Sequence, residues 1–175
     1  YGQALATLPT DRARAKELLN QAVAIKPTFF PARQRLATLA EEDRDWPAAI
    51  EQRRWFAQNR PSMANTLALA AALQQSGPAG YPEAERMLLP LANQGNTSAM
   101  IALSGLYQAS GDAGGARDLL VRAQQAAPRD AAVAYQYGQL LERQNNPSGA
   151  LDAYLRAIEI NAAHVPSRLA LGRLY

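Results

Sequence analysis

The sequence is 175 residues long, 48% hydrophobic and only 7% aromatic, with a formal net charge of +3 and no cysteine. No hydrophobic run approaches the ~18 residues of a membrane-spanning helix, and a chain without cysteine has no disulfide, thiolate nucleophile or cysteine-based zinc site. The basic residues are scattered, which argues against the clustered basic stripe of a nucleic-acid binder. Ala and Leu supply most of the apolar mass, which favours helices over strands.

In chain order, helical periodicity divides the sequence into a partial repeat, four full repeats and a second partial repeat. Each full repeat contains two helical segments joined by a short turn, as at Asn145-Asn146-Pro147. The predicted repeats cover residues 1–29, 30–63, 64–96, 97–130, 131–164 and 165–175.

An Asp or Asn residue precedes the second helix in most repeats. These residues are Asp11, Asp45, Asp112 and Asn146, and each is separated from the next by one repeat length or by about two. Their side chains can accept hydrogen bonds from the free amide groups of a first helical turn, so we expect each to be an N-cap. The intervals predict a repeat of about 34 residues, a length typical of helix–turn–helix repeats.

Small residues recur where paired helices must approach closely. In the second helices they are Ala15, Ala49, Ala84, Ala116 and Ala150, and in the first helices Ala37, Ala71, Ser104, Gly138 and Gly172. The repeat at residues 64–96 is irregular, because residues 76–82 carry about one extra residue in its turn. A register shifted by one residue is therefore an open alternative for its first helix.

Both ends of the sequence fall inside a predicted first helix. Residues 1–3 repeat the Tyr-Gly-Gln of residues 137–139, and residues 172–175 end within another such helix. Neither end has the polar capping helix that a repeat array needs for solubility. We therefore expect the sequence to be a fragment of a longer protein.

The recurring residues resemble the tetratricopeptide repeat (TPR) pattern. The match is clearest at Leu103, Tyr107, Ala116, Ala123, Pro128, Tyr137, Gly138, Ala150, Tyr154 and Ala157. Residues 93–107 are also similar to the longer SEL-like repeats. The family's first-helix Trp is replaced by Arg33, Met100, Ala134 and Arg168. The resemblance implies an all-α fold, a right-handed α-solenoid of about 10–11 helices in antiparallel pairs.

The resemblance also implies which side chains line the concave groove of the first helices. The candidate partner-binding residues are Gln34, Thr38, Asn65, Gln75, Ser98, Ile101, Gln108, Tyr135, Gln139 and Glu142. Family members that bind the C-terminal carboxylate of heat-shock proteins have Lys, Asn and Arg there, so we expect no carboxylate clamp. Amide and hydroxyl groups can hydrogen-bond to an extended peptide backbone, and equally to the hydroxyls of a sugar.

Two other surfaces compete with the groove. The first third of the chain carries the whole net charge of +3, and its arginines include Arg33, Arg35, Arg53, Arg54 and Arg60. Trp55, beside Phe56, is a candidate contact for a partner.

The sequence gives no indication of catalysis. The single histidine, His164, lies in a predicted surface turn, and the acidic residues 41–43 and 45 lack the spacing and the glycine of a calcium loop. The Gly-rich stretches at 77–80 and 111–115 lack a phosphate-binding pattern. We expect no catalytic residue, no metal and no cofactor, so the chain is not expected to be an enzyme.

We expect a scaffold that assembles or recruits the proteins of a larger complex. Arrays of the family are common in exopolysaccharide export and secretion, and the Lys-poor, cysteine-free composition favours a bacterial envelope system in the periplasm. The alternatives are a cytoplasmic location, a polysaccharide-binding module, and a regulatory repeat region of a larger enzyme. The expected partner is a protein, with a polysaccharide second, and we expect neither nucleic-acid binding nor membrane insertion.

Overall fold

A computed structural model describes residues 1–7 and 11–174, which form eleven α-helices, one 3-10 turn at Pro78–Gly80 and no strand. Residues 8–10 of the predicted repeat 1–29, and Tyr175 of the predicted repeat 165–175, lie outside the described residues. The helices are α1 (Gly2–Thr7), α2 (Arg12–Ile25), α3 (Phe30–Glu42), α4 (Trp46–Asn59), α5 (Met63–Gln75), α6 (Tyr81–Asn93), α7 (Thr97–Ser110), α8 (Ala113–Ala126), α9 (Ala131–Arg143), α10 (Pro147–Ile160) and α11 (Val165–Leu174).

The helices belong to two compact units, unit 1 from Tyr1 to Gly80 and unit 2 from Tyr81 onward. Within each unit, every helix packs against the next helix in the chain. In unit 2, α7 also contacts α9, so the first helices of successive repeats are neighbours there. The predicted all-α fold of paired helices is confirmed. None of the described helices is both long enough and apolar enough to cross a membrane.

The predicted N-caps are confirmed. In each case the side chain accepts a hydrogen bond from the backbone amide three residues later, at 2.8 to 3.2 Å. These bonds satisfy amide groups that have no partner inside the helix, which fixes where each second helix begins. The residues are Asp11 before α2, Asp45 before α4, Asp112 before α8 and Asn146 before α10.

The small residues lie at close helix contacts. All five alanines of the second helices are fully buried. In α9, a Cβ atom on Gly138 would lie 2.5 Å from Cε1 of Tyr154 on α10, so the bare backbone makes room for the tyrosine ring. Gly172, one repeat length later on α11, is exposed and has no such neighbour.

The register of α5 is shifted by one residue from the primary prediction. Ala71 is exposed, whereas Ala70 and Ala72 are each only 3% exposed. Ala70 therefore takes the buried position that Ser104 takes in α7, one repeat length later. The helix accordingly begins at Met63, one residue before the predicted boundary.

The turns from α3 to α4, α5 to α6, α7 to α8 and α9 to α10 each contain a residue with positive φ, and the spacing of these residues shows the same shift. These residues are Arg44, Gly77, Gly111 and Asn145. Gly77 follows Arg44 one position early, whereas the two later intervals are both full repeat lengths. The additional turn residues of the irregular repeat at residues 64–96 form the 3-10 turn. A Cβ on Gly80 in this turn would lie 2.1 Å from the carbonyl oxygen of Leu73. Only glycine fits there, which locates the irregularity expected from the sequence.

Candidate functional site

The ten predicted groove residues are divided between the two units. Four lie in unit 1, with Gln34 and Thr38 on α3 and Asn65 and Gln75 on α5. The other six lie in unit 2, with Ser98, Ile101 and Gln108 on α7 and Tyr135, Gln139 and Glu142 on α9.

In unit 1, Gln34 and Asn65 border one pocket of about 410 Å³. The Asn65 side chain donates a 2.7 Å hydrogen bond to the carbonyl oxygen of Arg60, which holds it against the turn between α4 and α5. The Thr38 hydroxyl donates to the carbonyl oxygen of Gln34 at 3.1 Å, within its own helix. Gln75 is exposed at the end of α5, and the shifted register gives Gln74 the position that was predicted for it.

In unit 2, the two residues near the start of α7 differ in exposure. Ser98 is exposed, whereas Ile101 is half-buried and packs against a core cluster of Ala116, Leu120 and Leu140. Ile101 therefore contributes to the interior of the unit as well as to its surface.

Each remaining groove residue of unit 2 takes part in a side-chain hydrogen bond. Gln139 donates to the hydroxyl oxygen of Tyr135 at 2.8 Å, and both side chains are half-exposed. Arg143 at the end of α9 donates to the side-chain oxygen of Gln108 on α7 at 3.0 Å. Neighbouring first helices thus share one polar surface, which we call the α9 face. It consists of Gln108 on α7 and of Tyr135, Gln139, Glu142 and Arg143 on α9.

The Glu142 side chain on this face accepts a hydrogen bond from a buried tyrosine. The fully buried Tyr154 of α10 donates its hydroxyl to the Glu142 carboxylate at 2.7 Å. Burial, and then this bond to a carboxylate, raise the pKa of Tyr154 well above its ordinary value. The tyrosine therefore stays neutral and remains a donor to Glu142.

A pocket lies at each end of the α9 face. The turn pocket, of about 910 Å³, lies where the turn before α9 meets the turn before α11. The arginine pocket, of about 300 Å³, lies at the other end of α9 and is lined by Gln139, Glu142, Arg143 and Arg173. The lining of the turn pocket is Ala127, Pro128, Arg129, Asp130, Ala131, Ala132, Ile160, Asn161 and His164.

His164 lies in the turn expected for it, but it is half-buried. Its Nδ1 atom is 2.8 Å from the hydroxyl of the buried Ser167. Its ring meets the ring of Tyr135 edge-on, with centroids 5.5 Å apart. The histidine therefore links the wall of the turn pocket to the α9 face.

Unit 1 contains an aromatic stack that the sequence did not predict. Trp55 contacts Phe30, with ring centroids 5.6 Å apart, and the Arg33 guanidinium lies 4.4 Å from the Trp55 ring. The Arg60 guanidinium lies 4.5 Å from the ring of Phe30, which is 37% exposed. Trp55, Arg33 and Arg60 were singled out beforehand as candidate contacts, but their arrangement with Phe30 depends on how α3 and α4 pack.

The basic residues of unit 1 are largely engaged inside the unit. Arg33 is only 9% exposed and donates to the Pro27 carbonyl and to Gln52, at 2.6 and 2.9 Å. Burial lowers the pKa of its guanidinium. Arg53 makes two hydrogen bonds of 2.7 Å to the carboxylate of Glu41. The basic surface predicted for the first third is therefore wrong for Arg33 and Arg53, which hold helices together.

The acidic residues before α4 form ion pairs. Arg12 on α2 contacts both Glu42 and Asp43 at 2.8 Å, and Lys16 also pairs with Asp43. In the part of the chain that the structure describes, no group of three or more His, Cys, Asp or Glu side chains could hold a metal ion.

The fold is similar to solved structures, although the sequence matches no family model and no curated protein. A thermophilic TPR protein from Thermus thermophilus, TTC0263, is 16% identical with a TM-score of 0.64, over 91% of this chain and 88% of that one. YrrB, a TPR protein with an unusual peptide-binding site, is 16% identical with a TM-score of 0.55, over 95% and 87%. Human IFIT1, solved with m7Gppp-AAAA, is 18% identical with a TM-score of 0.64, over 93% and 42%.

These likenesses are structural, since none of the three exceeds 18% identity. They agree with the helix pairs of both units. The chain therefore has the fold of tetratricopeptide-repeat proteins.

Proposed function

We propose that this chain is a protein-binding scaffold whose α9 face holds an extended segment of another protein. The observation that carries the proposal is the half-exposed pair of Tyr135 and Gln139. The Tyr135 hydroxyl accepts the Gln139 amide, which leaves its own proton for a ligand, and Gln139 keeps an oxygen that can accept. One donor and one acceptor side by side suit the carbonyl and amide groups of an extended peptide.

Two arginines of unit 1 are not available to contact RNA. A nucleic-acid site needs several cations free to contact phosphates, whereas Arg33 and Arg53 are bonded within the unit. RNA is the ligand class that accompanies IFIT1, so it is the natural comparison in the binding test. A polysaccharide is the other comparison, because amide and hydroxyl groups also bind sugars.

The experiment is a selection of random twelve-residue peptides displayed on phage, with the purified full chain as bait. Calorimetry then measures the selected peptides on the wild type and on a Tyr135→Ala, Gln139→Ala double variant. We expect the double variant to lose about tenfold or more in affinity with unchanged helicity, as for the loss of two interfacial hydrogen bonds. A Gln75→Ala variant, altered at an exposed residue of unit 1, is the control.

Failure to select any peptide, or equal affinity for the wild type and the double variant, would overturn the proposal. Heat of binding with a polysaccharide or with a capped oligonucleotide, but with no peptide, would show that the face binds that ligand class instead.

The finer proposal is that the scaffold serves a bacterial envelope system, such as exopolysaccharide export or secretion. It is supported by the cysteine-free, Lys-poor composition. Fractionation of cells that express the tagged full-length protein tests it, with recovery in the periplasm expected. Recovery in the cytoplasm would contradict the envelope assignment, and a catalytic domain in the full-length gene would favour a regulatory repeat region.

A further inference from the structure

The turn pocket and the arginine pocket open on the same face of α9. Ala132 lines the first pocket, and Gln139 and Glu142 line the second. Residues 132, 135, 139 and 142 follow one another at intervals of three, four and three, so they share one side of the helix. A ligand that contacts Tyr135 and Gln139 therefore has a pocket at each end.

The distance between the pockets corresponds to a short stretch of extended peptide. Ala132 and Glu142 are ten residues apart on α9, and a helix rises 1.5 Å per residue, which gives about 15 Å. An extended chain advances about 3.3 Å per residue. Successive side chains point to opposite sides of an extended chain, so side chains four residues apart lie on the same side, about 13 Å from each other. They can therefore enter the two pockets.

The turn pocket suits a large apolar side chain. Pro128, Ala131 and Ile160 form an apolar part of its wall, and the His164 ring lies at the side toward Tyr135. At about 910 Å³ it is within the size range of small-ligand pockets, so it can take an aromatic residue. Asp130 in this wall is already engaged, because it accepts a hydrogen bond from the Ala132 amide at 2.8 Å.

The arginine pocket suits an acidic group. Arg143 and Arg173 line it together, and the bond to Gln108 holds Arg143 in place. Glu142 is the acidic side chain in this lining, and its carboxylate already accepts the Tyr154 hydroxyl. Two guanidinium groups against one engaged carboxylate leave the pocket positive, and guanidinium groups bind carboxylates through strong, charge-assisted hydrogen bonds.

We propose that the α9 face selects extended peptides that carry a large apolar side chain and, four residues away, an acidic side chain. The apolar side chain enters the turn pocket, and the carboxylate lies between Arg143 and Arg173. This inference rests on the proposed function, which it deepens by naming the class of peptide.

The probe is a synthetic eight-residue peptide with tryptophan as its second residue, aspartate as its sixth and serine elsewhere. Because the direction of binding is open, its reversed sequence is measured in parallel. Three matched peptides replace the aspartate with asparagine, replace the aspartate with lysine, or move the aspartate next to the tryptophan. The last of these tests whether Arg129, at the turn pocket, receives the acid instead.

Affinities are measured by calorimetry for the wild type and for Arg173→Gln, Arg143→Gln and Arg60→Gln. Arg60 is the matched control, because it is an arginine that lines the pocket of unit 1. We expect the aspartate peptide to bind the wild type about tenfold more tightly than the asparagine peptide, as for a charged hydrogen bond. Arg173→Gln should remove most of that difference without weakening the asparagine peptide, while Arg60→Gln should keep it.

Equal affinity for the aspartate and asparagine peptides, tighter binding of the lysine or moved-aspartate peptide, or an equal effect of Arg60→Gln would overturn the inference. No binding of the probe would also overturn it. If phage-selected peptides still depend on Tyr135 and Gln139 in that case, the proposed function stands and only the peptide class is wrong.

Discussion

Gly138 shows how a single missing side chain sets the spacing of two helices. The Tyr154 ring occupies the space where a Cβ on Gly138 would lie, and the ring is held by full burial and by its bond to Glu142. A side chain added at this position has to displace the ring or move α9 away from α10. Both cost packing energy in a close-packed interior.

We therefore expect Gly138→Ala to lower the free energy of unfolding. Overpacking costs about 1–3 kcal/mol, and the gain in helix propensity of up to about 1 kcal/mol does not offset it fully. Denaturant unfolding measures the difference. Gly172→Ala, at the exposed equivalent position, should be neutral or stabilising, and equal effects of both substitutions would contradict the close contact.

Arg44 has an unfavourable backbone conformation for its residue type. Its φ is +58°, at the turn position where Gly77 and Gly111 stand in the following hairpins. A left-handed conformation costs roughly 1–2 kcal/mol for an ordinary L-residue, and glycine avoids this cost.

Arg44→Gly should raise the free energy of unfolding by about 0.5–1 kcal/mol, because part of the relieved strain is offset by the entropy of glycine in the unfolded chain. Asn145→Gly, at φ +57°, should give less, because asparagine tolerates this region. Thermal unfolding of both variants tests the comparison, and a destabilised Arg44→Gly variant would show that the arginine side chain contributes more than its strain.

At the scale of the helices, ion pairs tie α2 to the end of α3 in unit 1. The hydrogen bond from Lys16, with a further one from Arg12, lowers the pKa of Asp43 below its ordinary value of about 4. A carboxyl group with a lowered folded pKa stabilises the fold above its unfolded pKa and loses that contribution as the pH falls through the folded value.

The melting temperature of the wild type should therefore exceed that of Asp43→Asn at pH 7, and the difference should shrink below about pH 4. The effect should be small and should weaken with added salt, because Arg12 and Asp43 are partly exposed. Glu17→Gln, which removes a pair made within α2, is the control. A difference that is constant from pH 7 to pH 3 would show that the charge of Asp43 is not what matters.

Helix limits were predictable where local chemistry decides them. An Asp or Asn before a helix satisfies free amides whatever the rest of the fold does, so Asp45 and Asn146 could be assigned from sequence alone. The register of α5 could not be read in this way, because residues 70 to 72 are all alanine and only packing distinguishes them. The positive-φ positions held the missing signal, since Gly77 and Gly111 are one full repeat length apart.

At the scale of the whole molecule, the candidate site was only partly accessible from the sequence. The family resemblance assigned Tyr135 and Gln139 to one face of α9, but their mutual hydrogen bond depends on rotamers that no spacing specifies. Arg143 was not predicted as a groove residue, because it meets Arg173 only when α9 and α11 are both in place. The α9 face is thus positive at the end where the two arginines meet.

The central claim is that the α9 face binds an extended peptide, and the most direct test is to map the contact by NMR. A phage-selected peptide is titrated into the isotope-labelled full chain while backbone amide shifts are followed. We predict that the largest shifts cluster around Gln108, Tyr135, Gln139 and Arg173. Shifts confined to the aromatic stack around Phe30, with none on α9, would contradict the claim and place the binding site in unit 1.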